Sequence, residues 1–226
     1  MNRIGIIFLV YFVPALALLL ATLGATTLPD NPLGWFLLLV GLLYTAGTII
    51  VYAIQKKRYW ESAVGGKTLQ EERGSLSFWL IAVGMMLVFF ISPLEYLFRH
   101  PLLPHTPWMI GAGAILVFLG VVLFAWARRT LRKSYSGQIS VTENQPLVQN
   151  GPYRIIRHPA YLGYLCMSLG VSLGYSSLGA VILFGVVLLP AMIFRIRVEE
   201  KILLASFGEP FKEYASRTKR LIPGIW

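Results

Sequence analysis

Long apolar segments separated by short polar ones dominate the first 126 residues. Four segments, at residues 4–22, 33–54, 76–98 and 108–126, reach the length of about 17–25 residues that a helix needs to cross a bilayer. Two shorter apolar segments follow at residues 161–173 and 178–194, and a turn-like stretch of Gly, Tyr and Ser separates them. The pattern predicts about six membrane helices, the last two forming a short, closely packed hairpin that either spans the bilayer or re-enters it.

The composition agrees with a membrane protein. Of the 226 residues, 56% are hydrophobic and 13% charged, whereas a soluble domain carries about 25% charged residues. We therefore predict an all-α, polytopic integral membrane bundle. Residues 1–126 form its N-terminal transmembrane helices and residues 127–226 a C-terminal half integrated into the same domain. The single cysteine, Cys166, excludes a disulfide framework and a site of several thiolate ligands.

Basic residues mark one side of the membrane. The chain has 20 Lys and Arg against 10 Asp and Glu, a balance that in a soluble protein indicates nucleic acid. With six crossings and the N-terminus inside, 19 of the 20 lie in cytoplasmic segments and only Arg99 lies outside. Both termini are predicted to be cytoplasmic, and no nucleic acid partner is expected. A cleaved signal peptide at residues 1–25 is the alternative for the first segment, but its only basic residue is Arg3.

One candidate site lies at the start of the fifth helix. A Gly-Pro-Tyr turn at residues 151–153 is followed by Arg157 and His158, and then by Pro159. Proline is favoured in the first turn of a helix, so His158 is expected near the N-cap. The main-chain N–H groups of such a helix start can hold an anion or a polar ligand head. His158 either belongs to that site or simply caps the helix.

A second cluster follows the last apolar residue of the sixth helix. Arg195 and Glu199 are four residues apart and share a helix face, whereas Glu200 points about 100° away. These charges form either an interfacial belt or a site, and adjacent acids are unusual in a belt on a basic membrane face. The helix is predicted to end at Gly208. A short amphipathic helix then begins with Pro210 in its first turn and either lies on the membrane or covers a pocket.

Motifs for several other chemistries are missing. The sequence has no phosphate-binding glycine loop, no serine nucleophile elbow and no HExxH zinc motif. The apolar segments carry no ionisable residue at mid-helix, which argues against an ion pump or coupled transporter. No metal is expected.

Two blocks of residues resemble one enzyme family. Residues 146–163 read Pro-Leu-Val-Gln-Asn-Gly-Pro-Tyr-x-x-x-Arg-His-Pro-x-Tyr-x-Gly, and residues 194–214 read Phe-Arg-Ile-x-x-Glu-Glu-x-x-Leu-x-x-x-Phe-Gly-x-x-Phe-x-x-Tyr. Both resemble, in order, the blocks of isoprenylcysteine carboxyl methyltransferases and their prokaryotic relatives. The resemblance covers roughly residues 126–226.

The resemblance implies an integral membrane methyltransferase that uses S-adenosyl-L-methionine. Its cofactor pocket would be built from the C-terminal half and open to the cytosol, and a lipophilic acceptor would enter from the bilayer among the membrane lipids. Arg195 and Glu199 would be catalytic, with Arg195 at the acceptor. The implied cofactor-binding residues are Gln138, Leu147, Val148, Tyr153, His158, Pro159, Ala160, Tyr161, Glu199 and Glu200.

The sequence is compatible with several classes of methyl acceptor. Gln145 and Pro146 stand where eukaryotic members usually carry His and Thr. The foremost candidate is the carboxylate of an isoprenylcysteine-like substrate, which needs no base but does need a cation such as Arg195. A phospholipid amine or a small hydrophobic thiol or acid are alternatives. An amine or hydroxyl acceptor would need a base, for which Glu199, Glu200 and His158 are candidates.

Two other functions compete with methyl transfer. Sterol and steroid reductases, which bind NADPH, carry a block similar to residues 157–163, but the chain has no clear counterpart of the aromatic and basic residues that grip the 2′-phosphate. The other alternative is a non-catalytic membrane protein that retains the scaffold. Arg195, Glu199 and His158 argue against it, because an idle pocket has no need of polar residues near the membrane.

Overall fold

A computed structural model of the protein describes residues 68–71, 76–99, 103–104, 106–131, 140–142 and 146–226. The predicted helices at residues 4–22 and 33–54, the alternative signal peptide and Gln138 lie outside these residues. The described helices are α1 (Leu76–Arg99), α2 (Pro107–Leu131), α3 (Pro159–Gly174), α4 (Leu178–Leu183), α5 (Leu189–Phe207) and α6 (Glu209–Arg217). A 3-10 turn covers Gly151–Arg154, and a π-helical turn covers Phe184–Leu188.

Helices α1 and α2 match the predicted segments at residues 76–98 and 108–126. Within the described part of the chain, two helices are long and apolar enough to cross a membrane, Pro107–Leu131 and Leu178–Phe207. The helical bundle is therefore confirmed, and the total of about six membrane helices stays a prediction.

The predicted short hairpin has one short arm and one long arm. Helix α3 has 16 residues, but α4, the π-helical turn and α5 run together as one helix of 30 residues. The helix continues beyond the apolar segment because the residues after Phe194 include Glu, Lys, Leu and Ala, which are strong helix formers. Arg195 and Glu199 are thus carried on the same rigid helix as the apolar segment.

Glycines bring α2 and α3 into close contact. Gly113 faces Gly170 and Gly174, and Gly120 faces Gly163, so each helix presents glycines spaced seven residues apart. A Cβ atom added at any of these positions except Gly174 would lie within 2.8 Å of main-chain oxygen on the facing helix. The close approach of α3 at Gly170 is therefore to α2 rather than to the other arm of the predicted hairpin.

The α2–α3 contact gives a matched pair of stability variants. A Cβ atom at Gly113 would lie 2.6 Å from the carbonyl oxygen of Gly170, whereas at Gly111 nothing lies within 4 Å. We expect Gly113→Ala to destabilise the protein by about 1–3 kcal/mol, the usual cost of overpacking. Gly111→Ala should keep or raise the Tm, because alanine favours helix. Thermal unfolding in detergent measures the Tm of the two variants. Equal Tm values for Gly113→Ala and Gly111→Ala would contradict a close contact between α2 and α3 at Gly113.

A small ribbon adds to the predicted all-α architecture. Strand β1 (Thr68–Glu71) pairs antiparallel with β2 (Ser140–Thr142), with Glu71 opposite Ser140 and Thr68 opposite Thr142. Both strands contact α5. The helical bundle is unaffected, and the ribbon ties the segment before α1 to the segment after α2.

The start of the long helix is anchored by an acid from α1. The Glu95 carboxylate accepts hydrogen bonds from the Ser177 hydroxyl at 2.6 Å and from the main-chain N–H groups of Leu178 and Gly179 at 3.1 and 3.0 Å. A carboxylate at a helix N-terminus is favoured by the helix dipole. Arg195 lies roughly 25 Å further along this helix, at 1.5 Å per residue, so the anchor and the polar cluster occupy opposite ends.

Candidate active site

The structure brings the two family-like blocks together at one end of the bundle. His158 occupies the N-cap of α3 and Pro159 the first helical position, as predicted. The preceding turn begins at Gly151, whose φ of +57° favours glycine. A Cβ atom there would also lie 2.7 Å from the Thr130 hydroxyl on α2. This turn delivers the residues before α3 to the side of α5 that carries Arg195 and Glu199.

Tyr161 connects the two predicted catalytic residues. The Arg195 Nε–H group donates to the Tyr161 hydroxyl at 3.0 Å, and that hydroxyl donates to Glu199 Oε2 at 2.6 Å. Arg195 is 5% exposed, so its guanidinium is held inside the protein at the end of the apolar segment. The contacts favour a site over an interfacial belt, because a belt residue extends its charge into water.

His158 lies between two glutamates. Its Nε2 atom is 3.3 Å from Glu200 Oε1, and its Nδ1 atom is 4.0 Å from Glu199 Oε2. The imidazole also stacks on the Tyr161 ring, with centroids 5.6 Å apart. Although His158 occupies the N-cap, its side chain makes no capping hydrogen bond. Of the two interpretations, the structure supports the histidine as part of the polar cluster.

The adjacent acids have different surroundings. Glu200 Oε1 accepts from Arg157 Nε at 2.7 Å, and Glu200 Oε2 accepts from Arg220 Nε at 2.8 Å. The Glu200 side chain is 11% exposed, compared with 27% for Glu199. Glu199 is therefore the more accessible carboxylate, whereas Glu200 is enclosed by two arginines and His158.

The other described cofactor candidates lie at or before the start of α3. Leu147 and Val148 lie partly buried in the extended segment before the Gly151 turn, and Pro159 and Ala160 form the first turn of α3. Tyr153 is buried, and its carbonyl accepts from the Tyr214 hydroxyl at 2.7 Å. Burial raises the pKa of Tyr214 to about 12, so this phenol stays a donor at neutral pH.

The region after α5 contains the predicted helix end at Gly208 and the predicted short helix that follows it. Helix α5 ends at Gly208, which has a φ of +59°, and α6 begins with Pro210 in its first turn. Phe211 and Tyr214 are buried, with their rings edge to face at 6.3 Å. The apolar face of α6 thus packs on the protein, next to the Gly151 turn.

Sequence reasoning missed a contact between the start of α3 and the last residues. The main-chain N–H groups of Arg157 and His158 donate to the carbonyls of Lys219 and Arg220, at 2.8 and 3.0 Å. These main-chain bonds include an isolated parallel bridge, Ile156 to Lys219. About 60 residues separate the two segments, so no local spacing could have indicated this pairing.

The amino-acid sequence is similar to those of known methyltransferases. A family profile described as phospholipid methyltransferase matches residues 108–210. Protein-S-isoprenylcysteine O-methyltransferase B of Arabidopsis thaliana is 33% identical over 156 residues, which cover 67% of this chain and 79% of that protein. The Xenopus laevis protein-S-isoprenylcysteine O-methyltransferase is 27% identical over 207 residues, covering 90% and 68%.

The fold is similar to that of a solved eukaryotic intramembrane Ras methyltransferase, the isoprenylcysteine carboxyl methyltransferase ICMT. The TM-score is 0.61 at 24% identity, and the alignment covers 92% of this chain and 73% of that one. The sequence relatives, which are named as methyltransferases, favour methyl transfer over the reductase and non-catalytic alternatives. The chain belongs to the protein-S-isoprenylcysteine O-methyltransferase family and is an integral membrane methyltransferase.

Proposed function

We propose that the protein transfers the methyl group of S-adenosyl-L-methionine to the carboxylate of a membrane-embedded, isoprenylcysteine-like acceptor and forms a methyl ester. The observation that carries this proposal is the connection from Arg195 through Tyr161 to Glu199. It links a buried cation, suited to an anionic acceptor, to an accessible carboxylate suited to the cofactor. The family names given above supply the acceptor class.

The cofactor is proposed to lie against the start of α3 and the adjacent face of α5. When bound, S-adenosyl-L-methionine supplies an electrophilic methyl group on a sulfonium. The residues present fit it, because Glu199 offers a partly exposed carboxylate for its ammonium or hydroxyl groups, next to Tyr161 and the His158 ring. The proposed cofactor residues are Gln138, Leu147, Val148, Tyr153, His158, Pro159, Ala160, Tyr161, Glu199 and Glu200.

The acceptor side needs orientation rather than proton removal. A carboxylate is already ionised, so methyl transfer to it is an in-line displacement in which alignment and exclusion of water lower the barrier. We assign the buried guanidinium of Arg195 to the acceptor carboxylate. Tyr161 accepts from Nε and so fixes the plane of the guanidinium. Phe194, next to Arg195 in the chain, is an exposed apolar residue, and we assign the acceptor's lipid tail to the apolar segment that ends there.

A phospholipid amine is the second candidate acceptor, because the family profile that matches residues 108–210 carries that description. The charge at the proposed acceptor position argues against it. An ammonium group would have to approach Arg195, which is buried and cationic, and would also need to lose a proton before it could attack. A carboxylate meets neither difficulty, so the isoprenylcysteine-like acid is the preferred acceptor.

We further propose that this end of the bundle faces the cytoplasm, with both termini on that side. The count of 19 basic residues on one side of six crossings supports this orientation. It also gives the cofactor, a soluble metabolite, direct access to Glu199, while the acceptor arrives through the bilayer.

Ligand-dependent thermal stabilisation tests the cofactor assignment. We expect S-adenosylhomocysteine to raise the Tm of the detergent-solubilised protein, and NADPH at the same concentration to leave it unchanged. At about 100 times Kd, a bound ligand stabilises by about 2.7 kcal/mol, which corresponds to a shift of several degrees for a chain of this size. Stabilisation by NADPH alone would contradict the methyltransferase assignment.

A further inference from the structure

The last residues of the chain, 218–226, form a segment that we call the C-terminal strap. Its main chain pairs with the residues before α3. Arg157 also donates from its guanidinium to the carbonyls of Ala215, at 3.0 Å, and Thr218. Leu221 is 4% exposed and belongs to the same apolar cluster as Met192 and Ile196 of α5. The strap is thus attached by its main chain and by a buried leucine.

The Arg220 side chain makes contacts of its own, apart from that attachment. It is 33% exposed, its Nε atom donates to Glu200 Oε2 at 2.8 Å, and its guanidinium lies 5.2 Å from the centre of the Trp226 ring. The Trp226 main-chain oxygen accepts from the N–H groups of Leu221 and Ile222, so the ring is held in place from its own backbone. The pair joins the strap to Glu200 on α5, whose side chain is only 11% exposed, so Arg220 forms part of the surroundings of that acid.

Arg220 completes the set of donors that orients Glu200. Glu200 Oε1 receives Arg157 Nε and lies 3.3 Å from His158 Nε2, whereas Oε2 receives Arg220 Nε. Without Arg220, the carboxylate is held only at Oε1 by Arg157 and can turn about that contact, which changes the angle at which Oε1 meets the imidazole. An ionised carboxylate only accepts hydrogen bonds, so the contact with Glu200 places a proton on His158 Nε2. The other ring nitrogen, Nδ1, then faces Glu199.

We propose that Arg220 is a positioning residue of the methyltransferase centre. Through Glu200, it fixes the orientation and tautomer of His158 and therefore the surroundings of Glu199. This inference rests on the proposed function, because it assigns the purpose of the orientation to cofactor binding. The strap thereby becomes part of the active-site architecture.

Cofactor affinity in strap variants tests the proposal. We expect Arg220→Ala to raise the Kd of S-adenosylhomocysteine about tenfold, equivalent to about 1.4 kcal/mol, in calorimetric titration of the full chain. Its Tm should fall by less than about 3 °C, because the attachment of the strap stays intact. Arg220→Lys, which keeps a donor and the charge, should recover most of the affinity. Lys219→Ala is the matched control: it removes an exposed cation from the neighbouring position and should leave the Kd unchanged.

A double-mutant cycle identifies the route of the effect. If Arg220 acts through Glu200, then Arg220→Ala should change the Kd by less than about twofold in a Glu200→Gln background, because coupled residues are non-additive. Full additivity, or a Kd for Arg220→Ala equal to that of Lys219→Ala, overturns the inference. If the wild-type protein does not bind S-adenosylhomocysteine, the proposed function fails as well. If the wild-type protein binds S-adenosylhomocysteine and Arg220→Ala binds it with the same Kd, only the proposed role of the strap is wrong.

Discussion

Replacing Arg195 with methionine is expected to lower kcat about 100- to 1,000-fold, the usual cost of removing one essential donor to a reacting oxygen. Methionine is unbranched and uncharged, so it fills part of the buried position and removes the guanidinium, while Tyr161 can still donate to Glu199. The Kd of S-adenosylhomocysteine should stay close to that of the wild-type protein, because Arg195 is assigned to the acceptor rather than to the cofactor. Initial rates with radiolabelled cofactor and calorimetric titration measure the two quantities.

The neighbouring helix positions supply controls for this variant. Arg197→Ala removes an exposed cation two residues further along the same helix and should leave both quantities unchanged. Arg195→Lys keeps the charge but loses the planar fork that binds a carboxylate through two N–H groups. Its kcat should therefore lie between that of the wild-type protein and that of Arg195→Met. Normal turnover by Arg195→Met contradicts the assignment, and so does a loss of cofactor binding without any loss of kcat.

Replacing Glu199 with glutamine is expected to raise the Kd of S-adenosylhomocysteine about 10- to 100-fold, since hydrogen bonds to charged groups contribute about 1.5–3 kcal/mol. The amide oxygen can still accept from Tyr161, so the connection to Arg195 is retained and only the negative charge is lost. Titration calorimetry measures the change, and the Tm of the free protein checks that the fold is intact.

The exposed acid Glu213 on α6 gives the matched control for Glu199. Glu213→Gln also removes one negative charge but lies outside the polar cluster, with a side chain that is 76% exposed. Its Kd should equal that of the wild-type protein. If Glu199→Gln binds the cofactor as tightly as Glu213→Gln does, then Glu199 is not a cofactor ligand and the cofactor must lie elsewhere.

Much of the local structure could be predicted because it depends on neighbouring residues. Pro159 fixed the start of α3 and put His158 at its N-cap, and Gly208 fixed the boundary between α5 and α6. The spacing of Arg195 and Glu199 placed both on one helix face, and the structure joins them through one hydroxyl. In each case a rule about caps, turns or helical periodicity applies over fewer than about five residues.

The contacts that complete the cluster could not be predicted in the same way. Tyr161 was expected at the cofactor, but its position between Arg195 and Glu199 depends on the packing of α3 against α5. Arg220 and Glu200 are 20 residues apart, and Arg157 and Thr218 are 61 apart. Such pairs require the tertiary fold, because an isolated spacing of this size carries no geometric information. Likewise, the sequence alone does not show that the glycines of α2 face those of α3, because that contact depends on how the two helices pack.

Methyl transfer to defined acceptors tests the central proposal most directly. The purified protein is incubated with S-adenosyl-L-methionine labelled in its methyl group and with an S-farnesylated cysteine that has either a free carboxylate or a carboxamide. We predict a labelled, base-labile methyl ester with the free acid, no product with the amide, and none from the acid with Arg195→Met. Labelling of the headgroup amines of added phospholipid instead, or no labelled product by a protein that binds S-adenosylhomocysteine, would contradict the account.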